Sequence, residues 1–230
     1  MSYIPTYGDE RQLSFCAFCG GETGTRDHCP SRVLLDEPYP ENLPVVPACS
    51  TCNTSFSSDE EYLACLVSCV VAGSTNPAAM PRKKISRILA EKPALRARIE
   101  QSRTMSNSGV VVFNPEIKRI STVITKLAQG HALYELHEPH ARQPDEVFFK
   151  PLTLMSNTER TDFESPETSN VWPEVGSRAM QRLIVNGDTI FEQWIEIQQG
   201  KYRFHASPTN GTEIRIIIHE YLAGYVRWDY

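Results

Sequence analysis

The feature that most constrains this chain is a pair of Cys-x-x-Cys motifs near its start, Cys16/Cys19 and Cys49/Cys52. Each motif can turn two thiolates toward one point, and two such turns complete a closed tetrahedral shell around Zn²⁺. The 29 residues between Cys19 and Cys49 exceed the roughly 15–20 of a simple zinc ribbon. We therefore expect a structural zinc site that closes a hairpin large enough to carry other functional side chains.

The remaining cysteines and the hydropathy pattern predict where such a chain resides. Cys65 and Cys69 lie four residues apart in an apolar segment, which is typical of buried apolar side chains. Paired cysteine turns within an odd total of seven favour a metal site in a reducing compartment over a disulfide framework. The longest apolar run, 63–73, is far shorter than the roughly 20 residues that a membrane span needs. We expect a cytoplasmic protein without a membrane partner.

Charge is distributed unevenly along the chain. The net charge is −5, yet residues 62–119 carry ten basic and three acidic side chains. Local patches, rather than the total, set the attraction for phosphate. The basic segment 82–103 is therefore compatible with a polyanionic partner, although a solvated helical face explains the same charges.

Hydrophobic periodicity predicts an α+β fold in three parts. Residues 1–63 form a zinc-stapled module, in which strands near 24–28 and 43–47 are followed by a helix from Asn53. Residues 64–140 form a helical region that contains the basic segment, and 141–230 form a strand-rich α+β region. Helical spacing covers 60–72, 82–91, 93–102 and 115–136, a brief strand covers 110–113, and four strands cover 193–198, 201–206, 213–219 and 221–228.

Two smaller expectations concern the second half of the chain. The polar, acidic stretch 154–170 predicts an exposed loop. Three histidines near the end of the long helix lack a convincing set of metal-binding partners, so helix capping or a solvated surface is expected for His131, His137 and His140.

The hairpin between the cysteine pairs, together with Asn53 directly after the fourth cysteine, carries residues suited to phosphodiester hydrolysis. Asp27 offers a carboxylate oxygen and Asn53 an amide oxygen, which are ligands that Mg²⁺ or Mn²⁺ prefers. His28 can activate a water as general base, and its side chain points to the strand face opposite Asp27. The amide of Asn42 could orient the His28 ring. The alternatives are a surface pair or zinc brace at Asp27-His28, a helix-start residue at Asn53 and an ordinary turn residue at Asn42.

The order Cys-x-x-Cys, Asp-His, Asn-Leu and Cys-x-x-Cys-Asn over residues 14–63 resembles the HNH, or ββα-metal, nucleases. It is most similar to the variant found in phage junction-resolving endonucleases, where Asn replaces the last His. The resemblance implies that Asp27 and Asn53 bind a catalytic Mg²⁺ or Mn²⁺, that His28 is the general base and that Asn42 matches the middle Asn. The resemblance also assigns the structural zinc to Cys16, Cys19, Cys49 and Cys52.

The chain departs from the family pattern at two points. Thr54, Ser55 and Phe56 stand where a basic residue is common, and Cys29 has no counterpart. The first departure shifts the expected nucleic-acid contacts to the basic segment. We list the candidate contacts as Arg82, Lys83, Lys84 and Arg87.

These observations predict a metal-dependent HNH endonuclease that hydrolyses DNA. The resemblance also implies a protein partner subunit or a homo-oligomer, because nucleases of this family often act as effectors in prokaryotic restriction or antiphage defence systems. The alternative is a non-catalytic zinc-binding scaffold or nucleic-acid-binding subunit. The motif recognises a phosphodiester rather than a sugar, so RNA and DNA junctions are also open as substrates.

Overall fold

A computed structural model of the chain describes residues 14–106, 109, 111–166, 171–187, 193–209 and 211–230. The described residues form a mixed α+β structure, which confirms the predicted class. No helix in this described part is both long and apolar enough to cross a membrane. The sequence also predicts an irregular lead-in over residues 1–15 and a turn at Asn210-Gly211; residues 1–13 and Asn210 lie outside the described residues.

The first part of the fold is a strand hairpin followed by a short helix. Strand β1 (Thr25–His28) pairs antiparallel with β2 (Val45–Ala48), and helix α1 is Ser50–Ser55. This confirms the predicted order of strand, loop, strand and helix. The helix begins three residues before Asn53, because the side chain of Cys49 caps it by accepting a hydrogen bond from the N–H of Cys52.

The helical middle follows the predicted periodicity closely. Its elements are α2 (Ser57–Ala72), α3 (Lys83–Glu91), α4 (Pro93–Gln101), β3 (Arg103–Met105), β4 (Val111–Phe113) and α5 (Ile117–His131). A π-helical turn, Ala132–Leu136, extends α5. Gly130 is tolerated near the end of α5 because the helix touches the hairpin there. A Cβ at Gly130 would lie 2.6 Å from Sγ of Cys29.

The C-terminal part is a five-stranded antiparallel sheet with two helices. In chain order its elements are β5 (Glu146–Pro151), α6 (Asn157–Glu164), α7 (Arg178–Asn186), β6 (Ile195–Gln198), β7 (Tyr202–Ser207), β8 (Gly211–Ile218) and β9 (Leu222–Asp229). The sheet order is β5-β9-β8-β7-β6. The four predicted strands are confirmed as β6 to β9, whereas β5 was not predicted.

The prediction of an exposed loop over 154–170 is wrong for its first part, which contains α6. Ser156 and Glu159 form a capping box at the start of that helix, and this motif outweighs the polar composition. Residues 167–170 lie outside the described part of the chain.

One apolar core joins the hairpin, the helices and the sheet. Leu34 and Leu35 of the hairpin loop pack in the same cluster as Leu63 of α2, Ile124 of α5 and Ile216 of β8. The predicted boundary between residues 63 and 64 falls inside α2. The division into three domains stays a prediction, while the packing shows that the three segments share their main core.

The expectation of solvated or capping histidines is wrong for His131. Its ring is fully buried, lies 2.7 Å from the hydroxyl of Tyr202 and stacks on Phe204. His140 is half-buried and stacks on the fully buried Trp228. Cys65 and Cys69 are buried as predicted.

Candidate functional site

The four cysteines of the two Cys-x-x-Cys motifs converge on one point. Their Sγ atoms all lie within 4.8 Å of one another, and those of Cys19 and Cys49 are 3.9 Å apart. Zn–S bonds of about 2.3 Å in a tetrahedron place the sulfurs about 3.8 Å apart. The arrangement therefore fits a zinc ion held by Cys16, Cys19, Cys49 and Cys52.

Local backbone geometry shapes both halves of this site. The N–H of Cys16 donates to the carbonyl of Gly21 at 2.7 Å, and the N–H of Gly20 donates to the carbonyl of Cys16 at 2.9 Å. Gly20 has φ +72, a conformation that glycine adopts readily. At the second motif, the backbone N–H of Cys52 helps to lower the pKa of Cys49 to about 7. The lowered pKa favours the thiolate form of Cys49 that a metal requires, whereas burial raises the pKa of Cys52, whose proton a metal would have to displace.

A small apolar cluster surrounds the cysteines and is separate from the main core. It includes Phe18 and Val46 from the hairpin, and Leu133 from the π-helical turn after α5. Phe18 also packs edge-on against Phe56 at 5.3 Å between ring centres. So few apolar residues provide little stability by themselves, which is the situation in which a structural metal is useful.

Asp27 and His28 are successive residues of β1, opposite Val46 and Val45 of β2. His28 is half-buried. Burial and the nearby charge of Arg32 lower the pKa of His28, so the neutral imidazole that can accept a proton is favoured. Asn42 is exposed in the turn that precedes β2, and its role in orienting His28 stays a prediction.

Asn53 ties α1 to β1. Its Nδ2 donates to Oγ1 of Thr25 at 3.1 Å and to the carbonyl of Arg26 at 3.2 Å. These bonds place the Asn53 amide beside the residue that precedes Asp27, and they engage its nitrogen rather than its oxygen. Asn53 is therefore not the helix cap, which is Cys49.

Lys126 of α5 is the residue of this site that sequence reasoning missed. Its side chain is 1% exposed, and its Nζ lies 2.8 Å from Oδ2 of Asp27 and 2.6 Å from Oε1 of Glu60. Burial alone would lower the pKa of Lys126, but these two carboxylates raise it overall, so the ammonium is charged. The hydroxyl of Ser31 also bonds to Glu60 and accepts from Lys126. We call Asp27, Ser31, Glu60 and Lys126 the buried charge cluster.

The buried charge cluster limits how Asp27 can hold a second metal. Nζ of Lys126 lies 2.8 Å from Oδ2 of Asp27, so a metal ion at this carboxylate would compete with a buried ammonium. Mg²⁺ is commonly held by one or two protein oxygens with water in its other positions. In the described part of the chain, however, only the four cysteines form a group of three or more His, Cys, Asp or Glu side chains close enough to share one ion.

The basic residues that begin α3 divide into two kinds. Arg82 is 7% exposed, and its Nε lies 2.5 Å from Oδ1 of Asp36, while Nη2 donates to the carbonyls of Val33 and Leu35. Its guanidinium therefore holds the hairpin loop, and contact of Arg82 with nucleic acid stays a prediction. Lys83 and Arg87 are exposed, and Lys84 is half-buried.

Cys29, which the family pattern does not explain, is a buried packing residue. Its Sγ lies 3.3 Å from the carbonyl of Leu127, and burial raises its pKa well above the usual range of a thiol. A buried neutral thiol of this kind is inert. Cys29 therefore packs the end of β1 against α5 and is a structural residue.

Comparison of the chain with protein-family models, with curated proteins and with solved structures finds no match. Functional inference therefore depends on the hairpin residues, on their geometry and on the resemblance of their order to the HNH pattern.

Proposed function

We propose that this chain is a metal-dependent endonuclease of the HNH type that hydrolyses phosphodiester bonds in DNA. The observation that supports the proposal is that Asp27 and His28 are successive residues of β1, and that the Asn53 amide on α1 donates to the carbonyl of Arg26, the residue before Asp27. A zinc staple requires none of these three side chains. Their order along the chain and their position on a strand hairpin followed by a helix both support the nuclease interpretation.

Each residue has a separate task in this proposal. His28 accepts the proton of the attacking water, and Asn42 orients its ring. Asp27 and Asn53 hold Mg²⁺ or Mn²⁺, which when bound supplies charge neutralisation at the scissile phosphate and the departing oxygen. Lys126 holds the carboxylate of Asp27 in one orientation through Oδ2. The four cysteines keep zinc away from the reaction and fix α1 against the hairpin.

A protein partner belongs to the same proposal. A small nuclease module attached to a larger body is typical of effectors that other subunits control. We therefore include a partner subunit or a homo-oligomer, and a role in prokaryotic restriction or antiphage defence in the cytoplasm.

A second candidate function is a non-catalytic zinc scaffold or nucleic-acid-binding subunit. The buried ion pair between Lys126 and Asp27 favours it, because that pair gives Asp27 a structural role without any reaction. The two candidates differ in what they require of His28, since only the nuclease needs its imidazole.

The test is cleavage of supercoiled plasmid and single-stranded DNA by the full chain with Mg²⁺, Mn²⁺ or no divalent ion. Wild type is compared with His28→Ala and Asn53→Ala. Thr54→Ala is the matched control, because the hydroxyl of Thr54 donates to the carbonyls of Ser50 and Thr51 in its own helix. We expect His28→Ala to lower the rate by about 10²–10⁴-fold, the usual contribution of a general base, with bound zinc unchanged.

The other outcomes contradict the proposal in different ways. Equal cleavage by wild type and His28→Ala would remove His28 from the chemistry. Absence of cleavage by every protein, with zinc bound and the fold intact, would favour the scaffold.

A further inference from the structure

We propose that the start of α3 and the adjacent hairpin loop form a track for the sugar–phosphate backbone of the DNA substrate. This inference rests on the proposed nuclease function, which it extends to substrate placement. We call Arg32, Lys83, Lys84 and Arg87 the basic track.

The first observation is a cleft of about 640 Å³ at the beginning of α3. Four basic residues line it, Arg82, Lys83, Lys84 and Arg87, with two acidic residues, Asp36 and Glu37. Asp36 is neutralised from two sides, by Arg82 and by Nζ of Lys201 at 2.9 Å. Within the described residues, Lys83 and Arg87 have no ion-pair partner. The cleft therefore presents an excess of positive charge to solvent.

The second observation is the orientation of α3. The helix buries Ile85, Ile88 and Leu89 in the main core, so the side that carries Lys83 and Arg87 faces outward. These two residues lie four positions apart, which places them on one face and about 6 Å apart along the axis. The positive end of the helix dipole lies at the same end of the cleft. Two neighbouring phosphates of one strand can therefore be contacted together.

The third observation connects this cleft with the hairpin. Nζ of Lys84 donates to the hydroxyl of Tyr39 at 2.9 Å and lies 3.5 Å from the carbonyl of Arg32. The guanidinium of Arg32 lies over the same Tyr39 ring, 5.4 Å from its centre. Arg32 is exposed and follows His28 by four residues. Positive charge thus continues from α3 to the neighbourhood of His28.

The basic track supplies what the hairpin itself lacks. Thr54, Ser55 and Phe56 provide no cation after the second cysteine pair. A strand held by Lys83 and Arg87 would pass Arg32 on its way to His28. The fold thereby replaces a basic residue on α1 with cations on a separate, well-packed helix.

Binding measured without divalent ions separates this inference from the proposed reaction. Short labelled single- and double-stranded DNA are titrated with the full-length His28→Ala protein by fluorescence anisotropy over a range of salt concentrations. Lys83→Ala/Arg87→Ala is compared with Lys118→Ala/Arg160→Ala, which removes the same charge from exposed positions on other helices. Each lost phosphate contact reduces the slope of log K against log salt by about 0.9 on duplex DNA.

We expect the slope to become shallower by about 1.8 in Lys83→Ala/Arg87→Ala and to stay unchanged in the control. An unchanged slope in the first protein, or an equal reduction in both, would overturn the track even if wild type cuts DNA. If wild type cuts no DNA but Lys83→Ala/Arg87→Ala still shows the shallower slope, the basic track is supported and the nuclease function is rejected.

Two further arms complete the design. The single variants Lys83→Gln and Arg87→Gln are measured in parallel, so that a poorly folded double variant does not decide the result. Each single variant is expected to reduce the slope by about 0.9. Competition by inorganic phosphate distinguishes a polynucleotide track from a site for a small anion. The basic track would be contradicted if inorganic phosphate displaced the DNA when its concentration only equals that of the phosphate groups in the DNA.

Discussion

Replacing Lys126 with methionine tests the buried charge cluster directly. The change removes the cation that lies 2.8 Å from Asp27 and 2.6 Å from Glu60 while keeping a side chain of similar length. The carboxylate side chains are only 13% and 10% exposed, so water cannot fully replace the ammonium. Breaking a buried pair by removing one partner costs about 3–5 kcal/mol, and we expect Lys126→Met to lower the free energy of unfolding by that amount.

The measurement is urea denaturation at neutral pH with zinc saturated. It compares wild type, Lys126→Met, Glu60→Gln and the double variant. In the double variant one of the two unpaired carboxylates is gone, so the total loss should be smaller than the sum of the single losses by about 0.5–3 kcal/mol. Lys118→Met, an exposed lysine on the same helix, should stay within about 0.5 kcal/mol of wild type.

The pH dependence provides an independent check. Protonation of a carboxylate removes the buried charge that Lys126→Met leaves without its partner, and with it the cost of burying that charge. The deficit of Lys126→Met should therefore shrink as the pH falls toward the carboxylate range. A loss below about 1 kcal/mol, or strictly additive single losses, would show that the cluster does not act as a unit.

Three other expectations follow from the packing. Elemental analysis should find one zinc ion per chain, and Cys49→Ser should lower that content and speed hydrogen exchange in β1 and β2; full zinc occupancy in the variant would contradict the site. Burial, with a smaller effect of Lys126, lowers the pKa of His131 from 6.5 to about 3, so below pH 6.5 only the unfolded state takes up this proton. The free energy of unfolding should therefore fall between pH 6.5 and 3, and less steeply in His131→Gln. Gly130→Ala places a Cβ 2.6 Å from Sγ of Cys29 and should cost about 1–3 kcal/mol, with partial recovery on adding Cys29→Ala.

Local patterns made much of the fold predictable. The cysteine motifs, the strands on either side of the hairpin loop and helices α2 to α5 depend on spacing, prolines and glycines that act within a few residues. The four C-terminal strands β6 to β9 were likewise visible from alternation and turn residues. Helix α6 carried a local signal in Ser156 and Glu159, which the polar composition of the stretch obscured.

The missed features depend on partners far away in the chain. Strand β5 gains its hydrogen bonds from β9, about eighty residues later. His131 is buried because Tyr202 and Phe204 of the sheet cover it. Arg82 looks like a surface cation in the sequence, but it is buried because Asp36 and two backbone carbonyls bind its Nε and Nη2. None of these contacts produces a periodic pattern in the neighbouring sequence that could have predicted it.

The sequence by itself determined that four cysteines could share a metal, that Asp27 and His28 lie on the first strand of the hairpin and that Asn53 lies on the helix that follows it, because these facts depend on residue type and short spacing. Only the tertiary structure decided that Asp27 is held by a lysine 99 positions later in the chain, and that Arg32 approaches the cations of α3. A lysine is ordinarily a surface residue. Lys126 is buried because two carboxylates from separate segments compensate its charge, and such compensation exists only once those segments are packed together.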